Sequence, residues 1–262
     1  YVYMRTIAFL NLKGGTAKTS SAFNVAAGLA SEGKKILMID ADPQGHLSLT
    51  SGVDTDDCLT LTDLLIKDDV SVGDVIIRTG VDNLDIIPAD LSLAVADAKL
   101  SSMSAREFRL RSKLSDLEQY DYLIVDCPPS IGTIVMNVLC VVTEVLVPVS
   151  AGYFSLSGLN SLLDAVEYFN TNVGKVVGHR VDISGVLLTF YDPRINITKE
   201  VCDTINELFG DKLFEAKIPV NVKINEAQSH HKSIFDFDPK CKGALAYREL
   251  IKEILAMESV LI

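Results

Sequence analysis

TIAFLNLKGGTAKTSSAFNVAAGLASEG, Thr6 to Gly33, runs from an apolar stretch through a Gly-Gly loop into a segment of helical period. Strand, glycine-rich loop and helix in that order make a phosphate loop, because backbone N–H groups and the helix N-terminus then face a common anion. The ordinary pattern G-x-x-x-x-G-K-[ST] is not met. Leu12 and Ala17 stand at its two glycine positions, while Lys18 and Thr19 remain. Lys18 suits β- and γ-phosphates and Thr19 suits Mg²⁺. A second lysine, Lys13, lies five residues before Lys18. Two ammonium groups in so short a loop repel each other unless a polyanion lies between them.

Working outward, apolar runs alternate with helical stretches. Strands are expected at 6–12, 35–40, 84–89, 122–126, 144–149 and 183–190, and helices near 18–32, 104–118, 153–170, 195–209 and 243–258. Several runs are apolar at consecutive positions, which suits strands covered on both faces. The alternation predicts a three-layer α/β/α P-loop NTPase with a mostly parallel sheet. No linker rich in Pro, Gly or Ser interrupts it, so residues 1–262 read as one domain. Tyr1-Val2-Tyr3 precede Met4 and read as an appended remnant.

Composition sets limits. The chain is 48% hydrophobic and 23% charged, and its five cysteines include no C-x-x-C pair. That favours a reducing cytosol over a disulfide framework. No signal peptide is seen. Thr133 to Val149 is the strongest membrane decoy, but Asn137, Glu144 and Pro148 make it a buried helix followed by a strand. The net charge of −11 argues against nucleic acid. The excess lies in residues 1–210, since Asp211 to Ile262 carries eight Lys/Arg and eight Asp/Glu.

Two aspartate segments complete the candidate site. KILMIDADPQGHLS places Asp40 and Asp42 at the end of a strand, where open α/β sheets bind ligands. In extended chain they share a face. One carboxylate can hold a Mg²⁺-bound water while the other orients the attacking water; helix capping is the plain alternative. YLIVDCPPS places Asp126 after a second buried strand, where Mg²⁺ is a natural partner for a carboxylate. Cys127 reads as structural, and His230-His231 as surface, because adjacent residues do not project together.

The run K-G-G-x-x-K-T resembles the deviant Walker A box of the ParA/MinD superfamily of ATPases, whose usual form is K-G-G-x-G-K-T-[ST]. This chain departs from it at Ala17. LLTFYDPRINIT (187–198) is similar to the ParA segment L-x-x-x-D-x-R-x-N. IPVNVKINEAQSHHKSIFDFDPKCKGALAYREL (218–250) is similar to I-P-R-N-V-x-L-S-E-A-P-S-H-G-K-P-I…Y-D-P-x-S-x-G-A-x-A-Y-x-E-L. These point to the Soj-like branch more than to MinD.

The resemblance implies ATP and Mg²⁺ as cofactors and a nucleotide site of Lys13, Gly14, Gly15, Thr16, Ala17, Lys18, Thr19 and Ser20, with Pro219 and Asn221 at the adenine. Thr19, Asp40 and Asp126 form the metal site and Asp42 is the hydrolytic aspartate. Lys13 reaches the partner's ATP in a homodimer, which answers the question posed by the two lysines. Partners are nonspecific DNA and a ParB-like activator, with no membrane, in a cytoplasmic, nucleoid-associated setting. The family arginines for DNA map to Arg194 and to position 220, which is Val. Lys223, Lys240, Lys242, Arg248 and Lys252 are the further cations available for phosphates. The acidic final segment, with Glu249, Glu253 and Glu258, is expected to be a docked core helix rather than a basic membrane anchor. Two other readings stand beside partition: a positioning ATPase for a protein or membrane cargo, and an ATP-dependent small-molecule ligase such as dethiobiotin synthetase.

Overall fold

The computed structural model describes residues 4–152 and 158–258. Its strands are β1 (Arg5–Phe9), β2 (Ile36–Asp40), β3 (Ile77–Arg78), β4 (Leu84–Ile87), β5 (Tyr122–Asp126), β6 (Glu144–Ser150), β7 (Asp182–Tyr191) and β8 (Leu213–Pro219). They form one sheet in the order β3-β4-β2-β5-β1-β6-β7-β8. All neighbours run parallel except β3 and β4. The helices are α1 (Lys18–Ser31), α2 (His46–Thr50), α3 (Leu61–Ile66), α4 (Val72–Val75), α5 (Ser92–Leu100), α6 (Arg109–Lys113), α7 (Thr133–Leu139), α8 (Leu159–Tyr168), α9 (Asn196–Phe209), α10 (Val222–Ser229), α11 (Ile234–Phe237) and α12 (Lys242–Glu258).

The unbroken apolar runs are explained by two cores, one on each face of the sheet. Ala8, Leu37, Ile39, Leu123 and Val125 pack with residues of α3, α5, α7, α8 and α9. Their chain neighbours Ile7, Phe9, Ile36, Met38, Tyr122 and Ile124 pack with residues of α1, α10, α11 and α12. Alternate side chains of a strand point to opposite faces, so a strand buried on both needs apolar residues throughout. The three-layer expectation holds.

The final helix docks as its spacing implies, with Tyr247, Leu250 and Ile254 fully buried. It lies so close to α1 that a Cβ on Gly28 would fall 1.9 Å from Ile251 Cδ1. Arg5 ties α12 to the centre of the sheet. Its Nε and Nη2 donate to Glu144 Oε1 and Oε2 at 2.6 and 2.7 Å, and its Nη1 donates to Ile254 O at 2.6 Å. At the end of α12, Glu258 accepts from Tyr122 Oη and from Lys34 Nζ.

One expected element is corrected, one is seen in part and one strand is new. The stretch 104–118 is not one helix: Ala105 is left-handed at φ 52°, a 3₁₀ turn spans Arg106–Phe108, and α6 ends where Leu114 leaves helical dihedrals at ψ 80°. The helix expected over 153–170 is seen from Leu159 onward; residues 153–157 lie outside the described range. β8 was not expected as a strand, because Glu215 and Lys217 interrupt its apolar run. It is a sheet edge with alternating burial, and Glu253 of α12 covers part of that edge. The carboxylate accepts from Glu215 N at 2.9 Å and Ala216 N at 2.8 Å.

Candidate functional site

β1, β2 and β5 end side by side at the carboxyl edge of the sheet, with β1 between strands that lead to its opposite halves. This is the place where open α/β sheets bind ligands. The loop leaving β1 is stitched to its neighbours. Buried Asn11 donates through Nδ2 to Pro148 O at 2.7 Å and accepts from Lys13 N at 3.0 Å. Thr189 of β7 donates to Thr16 O at 3.1 Å. Neither Asn11 nor Thr189 is visible as a site residue in sequence, since each acts through the backbone of the loop.

The loop turns into α1 through two left-handed residues, Gly15 at φ 71° and Ala17 at φ 62°, ψ 33°. Ala17 therefore bears the strain that a glycine avoids. A left-handed Cβ costs about 1–2 kcal/mol, against about 0.5–1 kcal/mol for the added chain entropy of glycine. Ala17→Gly is accordingly expected to stabilise the protein by about 0.5–1 kcal/mol. A thermal melt of the nucleotide-free chain checks this, and a lowered midpoint would contradict it.

The two lysines part ways. Lys18 is buried and its Nζ donates to Lys13 O at 3.4 Å. Burial lowers its pKa, with nearby Asp126 opposing. Lys13 is half-buried, and its ammonium has no hydrogen-bond or ion-pair partner among the described residues.

Asp40 and Asp126 are register partners on β2 and β5, and both are fully buried. Asp40 accepts from Ser48 N at 2.8 Å, Ser48 Oγ at 2.7 Å and Asp42 N at 3.2 Å. Burial still pushes its carboxyl up to about 7. The bond from Asp42 N corrects the expectation of a shared strand face: β2 ends at Asp40, and the chain folds back there in an Asx turn. Asp42 follows half-buried and accepts from Gln44 N. Ser48 was not foreseen; its Oγ also accepts from Ala89 N at 2.9 Å, which fixes Asp40 against the exit of β4.

Asp126 Oδ2 accepts from Thr19 Oγ1 at 2.6 Å, while Oδ1 is buried without a hydrogen-bond partner. Burial and the Asp40 charge raise its pKa well above the carboxylate range. A buried carboxylate oxygen with nothing to bind is costly, and a hard cation is the partner that suits it. Asp126, with Thr19 bonded to it and Asp40 beside it, thus suits Mg²⁺. Among the described residues no group of three or more His, Cys, Asp or Glu is placed to hold a metal ion by itself.

Pro219 ends β8 at the same edge of the sheet, and Asn221 caps α10 by accepting from Lys223 N at 2.9 Å. The α10 helix reaches α1 through Ser20 Oγ, which donates to Gln228 Oε1.

The candidate DNA cations are only partly free. Arg194 is paired with Asp192 at 2.7 Å and holds that carboxyl down at about 2. Lys223 pairs with Glu226 and Lys252 with Glu249. Arg248 donates to Pro239 O and lies over the Phe235 ring. Lys240 and Lys242 make no ion pair among the described residues. Val220 and Val222 are 65% and 66% exposed between these cations in sequence. His230 and His231 are exposed, and each ring meets a backbone carbonyl through Nδ1.

Fold and loop together define a P-loop nucleoside triphosphatase. Residues 4–177 match the family described as "AAA domain". The chain is 40% identical over 253 residues to the sporulation initiation inhibitor protein Soj of Bacillus subtilis, covering 96% of this chain and 98% of Soj. It is 36% identical over 259 residues to the chromosome partitioning protein ParA of Caulobacter vibrioides, covering 97% and 95%. The cobyrinic acid a,c-diamide synthase of Mycobacterium smegmatis, solved with an ATP analog and magnesium, superposes with a TM-score of 0.84 at 28% identity, covering 98% and 96%. The chain belongs to the ParA/Soj family of partitioning ATPases.

Proposed function

We propose that this protein is an ATPase that dimerises on ATP, binds DNA without sequence preference and drives DNA partition with a ParB-like activator. The observation that carries the reading is the division between the lysines. Lys18 is turned into its own loop, while Lys13 lies at the same loop with its ammonium unpaired. One serves the nucleotide of its own subunit and the other that of the partner.

Thr19, Asp40 and Asp126 would hold Mg²⁺, directly or through water, and the ion would neutralise charge on the β- and γ-phosphates. Lys18 and the N–H groups at the start of α1 take the phosphate charge. Asp42 orients the attacking water, and Pro219 and Asn221 border the adenine. None of these residues is an arginine, so hydrolysis is slow until the activator contributes. The setting is cytoplasmic, with the ATP form on the nucleoid through Arg194, Lys223, Lys240, Lys242, Arg248 and Lys252. Among the described residues no helix is long and apolar enough to cross a membrane.

Binding to a nonspecific duplex at low and moderate salt, with ATP, ADP or no nucleotide, tests the reading. Binding is expected only with ATP, to weaken steeply with salt, to persist in Asp42→Ala and to vanish in Lys13→Ala. Dimerisation on ATP without any DNA binding would overturn it in favour of a protein cargo. That second reading has its own support in exposed Val220 and Val222 and in the ion pairs that occupy Arg194, Lys223 and Lys252. The ligase reading has less behind it, since the full-length identity to Soj is 40% and that to the synthase is 28%.

A further inference from the structure

The first turn of α1 is held from the C-terminal third of the chain by two separate contacts. Buried Asn24 fixes the backbone: its Nδ2 donates to Ser20 O at 2.8 Å while its Oδ1 accepts from Ile234 N at 2.9 Å. Gln228 holds the side chain, accepting from Ser20 Oγ through Oε1 at 3.2 Å. The similar ParA segment E-A-P-S-H has proline where this chain has Gln228, and a proline side chain brings no hydrogen bond.

A serine hydroxyl has one proton to give. Here it goes to the Gln228 amide oxygen. A nucleotide phosphate only accepts, so the Ser20 hydroxyl can serve it only by turning that proton away from Gln228. A carboxamide can answer such a turn, because rotation replaces its oxygen with an NH₂ that donates to the Ser20 oxygen.

We propose that Gln228 is a positioning residue of the nucleotide site: it accepts from Ser20 in the free protein and donates to Ser20 when phosphate is bound. The inference rests on the nucleotide reading given above. It makes α10, with Asn221 at its start, responsive to whether the phosphate loop is filled.

The test is the equilibrium dissociation constant for Mg-ATP, measured on the full chain for wild type, Gln228→Glu, Gln228→Met, Ser20→Ala and the double variant Ser20→Ala/Gln228→Glu, with thermal midpoints of each free protein alongside. A glutamate only accepts and keeps the Ser20 proton, so Gln228→Glu is expected to weaken ATP about tenfold. Methionine leaves Ser20 free to turn and is expected to cost about twofold to threefold. In the Ser20→Ala background the glutamate is expected to cost no more than about twofold, because no proton remains to be held. Equal losses in Gln228→Met and Gln228→Glu would mark a purely structural contact and overturn the proposal. An undiminished glutamate effect without the Ser20 hydroxyl would reduce it to charge repulsion and also overturn it. If wild type binds ATP and Gln228→Glu binds it equally well, this inference alone fails. A wild-type chain that binds no ATP overturns the nucleotide reading and the inference with it.

Discussion

Asp126→Asn is expected to give a more heat-stable protein that hydrolyses ATP at least about a hundredfold more slowly with Mg²⁺ present. Both effects come from one atom. Asp126 Oδ1 is buried with no hydrogen-bond partner, beside the equally buried Asp40. An amide carries no charge and needs no proton, so the cost of burying a carboxyl beside Asp40 is relieved, while the amide oxygen still accepts from Thr19. The new NH₂ then lies near a carboxylate. The gain is about 1 kcal/mol or more, on the scale of one unmade buried hydrogen bond. What would be lost is the anionic ligand proposed for the metal. A melt of the nucleotide-free chain and a phosphate-release assay check the pair. A destabilised variant, or one that hydrolyses normally, would show that Asp126 is a structural carboxylate.

Arg5→Ala is expected to destabilise the protein by about 3–5 kcal/mol, as removal of one partner from a buried ion pair does. For a chain of this size each kcal/mol moves the midpoint by about 2–4 °C, so a loss of roughly 10 °C is anticipated. Arg5 is 6% exposed and makes a two-point contact with Glu144 while donating to a carbonyl near the end of α12. Its removal leaves the Glu144 carboxylate largely buried and the Ile254 carbonyl unpaired. Arg5→Ala/Glu144→Ala separates the causes, since deleting both charges should recover much of the loss. A single variant within about 1 kcal/mol of wild type would place the pair among surface bridges of little worth.

The centre of the sheet was legible because β1, β2, β5 and β6 are buried on both faces and so carry apolar residues at consecutive positions between their polar ends. The edge strand β8 was not, since half of it faces solvent and its sequence carries charge there. The places of Lys18 and Thr19 at the start of α1 and of Asp126 at the end of β5 could be read because a glycine-rich loop and an apolar run lead into them. Asn11, Ser48 and Thr189 could not. Each is an ordinary polar residue whose role depends on a partner far along the chain: Pro148, Ala89 and Thr16. The Asx turn at Asp40 was likewise hidden, because D-x-D reads as readily in extended chain as in a turn. Ala17 stands at a glycine position of the loop pattern, and its φ of 62° is a left-handed value that glycine adopts without strain.

Glu253 has a further consequence at the level of assembly. A fibre built by adding strand to strand needs bare amides along the outer edge of a sheet. Along β8 the N–H groups of Glu215 and Ala216 are already taken by a helix carboxylate, and the opposite border is a strand of two residues, Ile77–Arg78. Neither border offers a template for lateral growth. Strand addition at the sheet borders is therefore disfavoured, which leaves the loop and helix faces for any contact between copies of this protein.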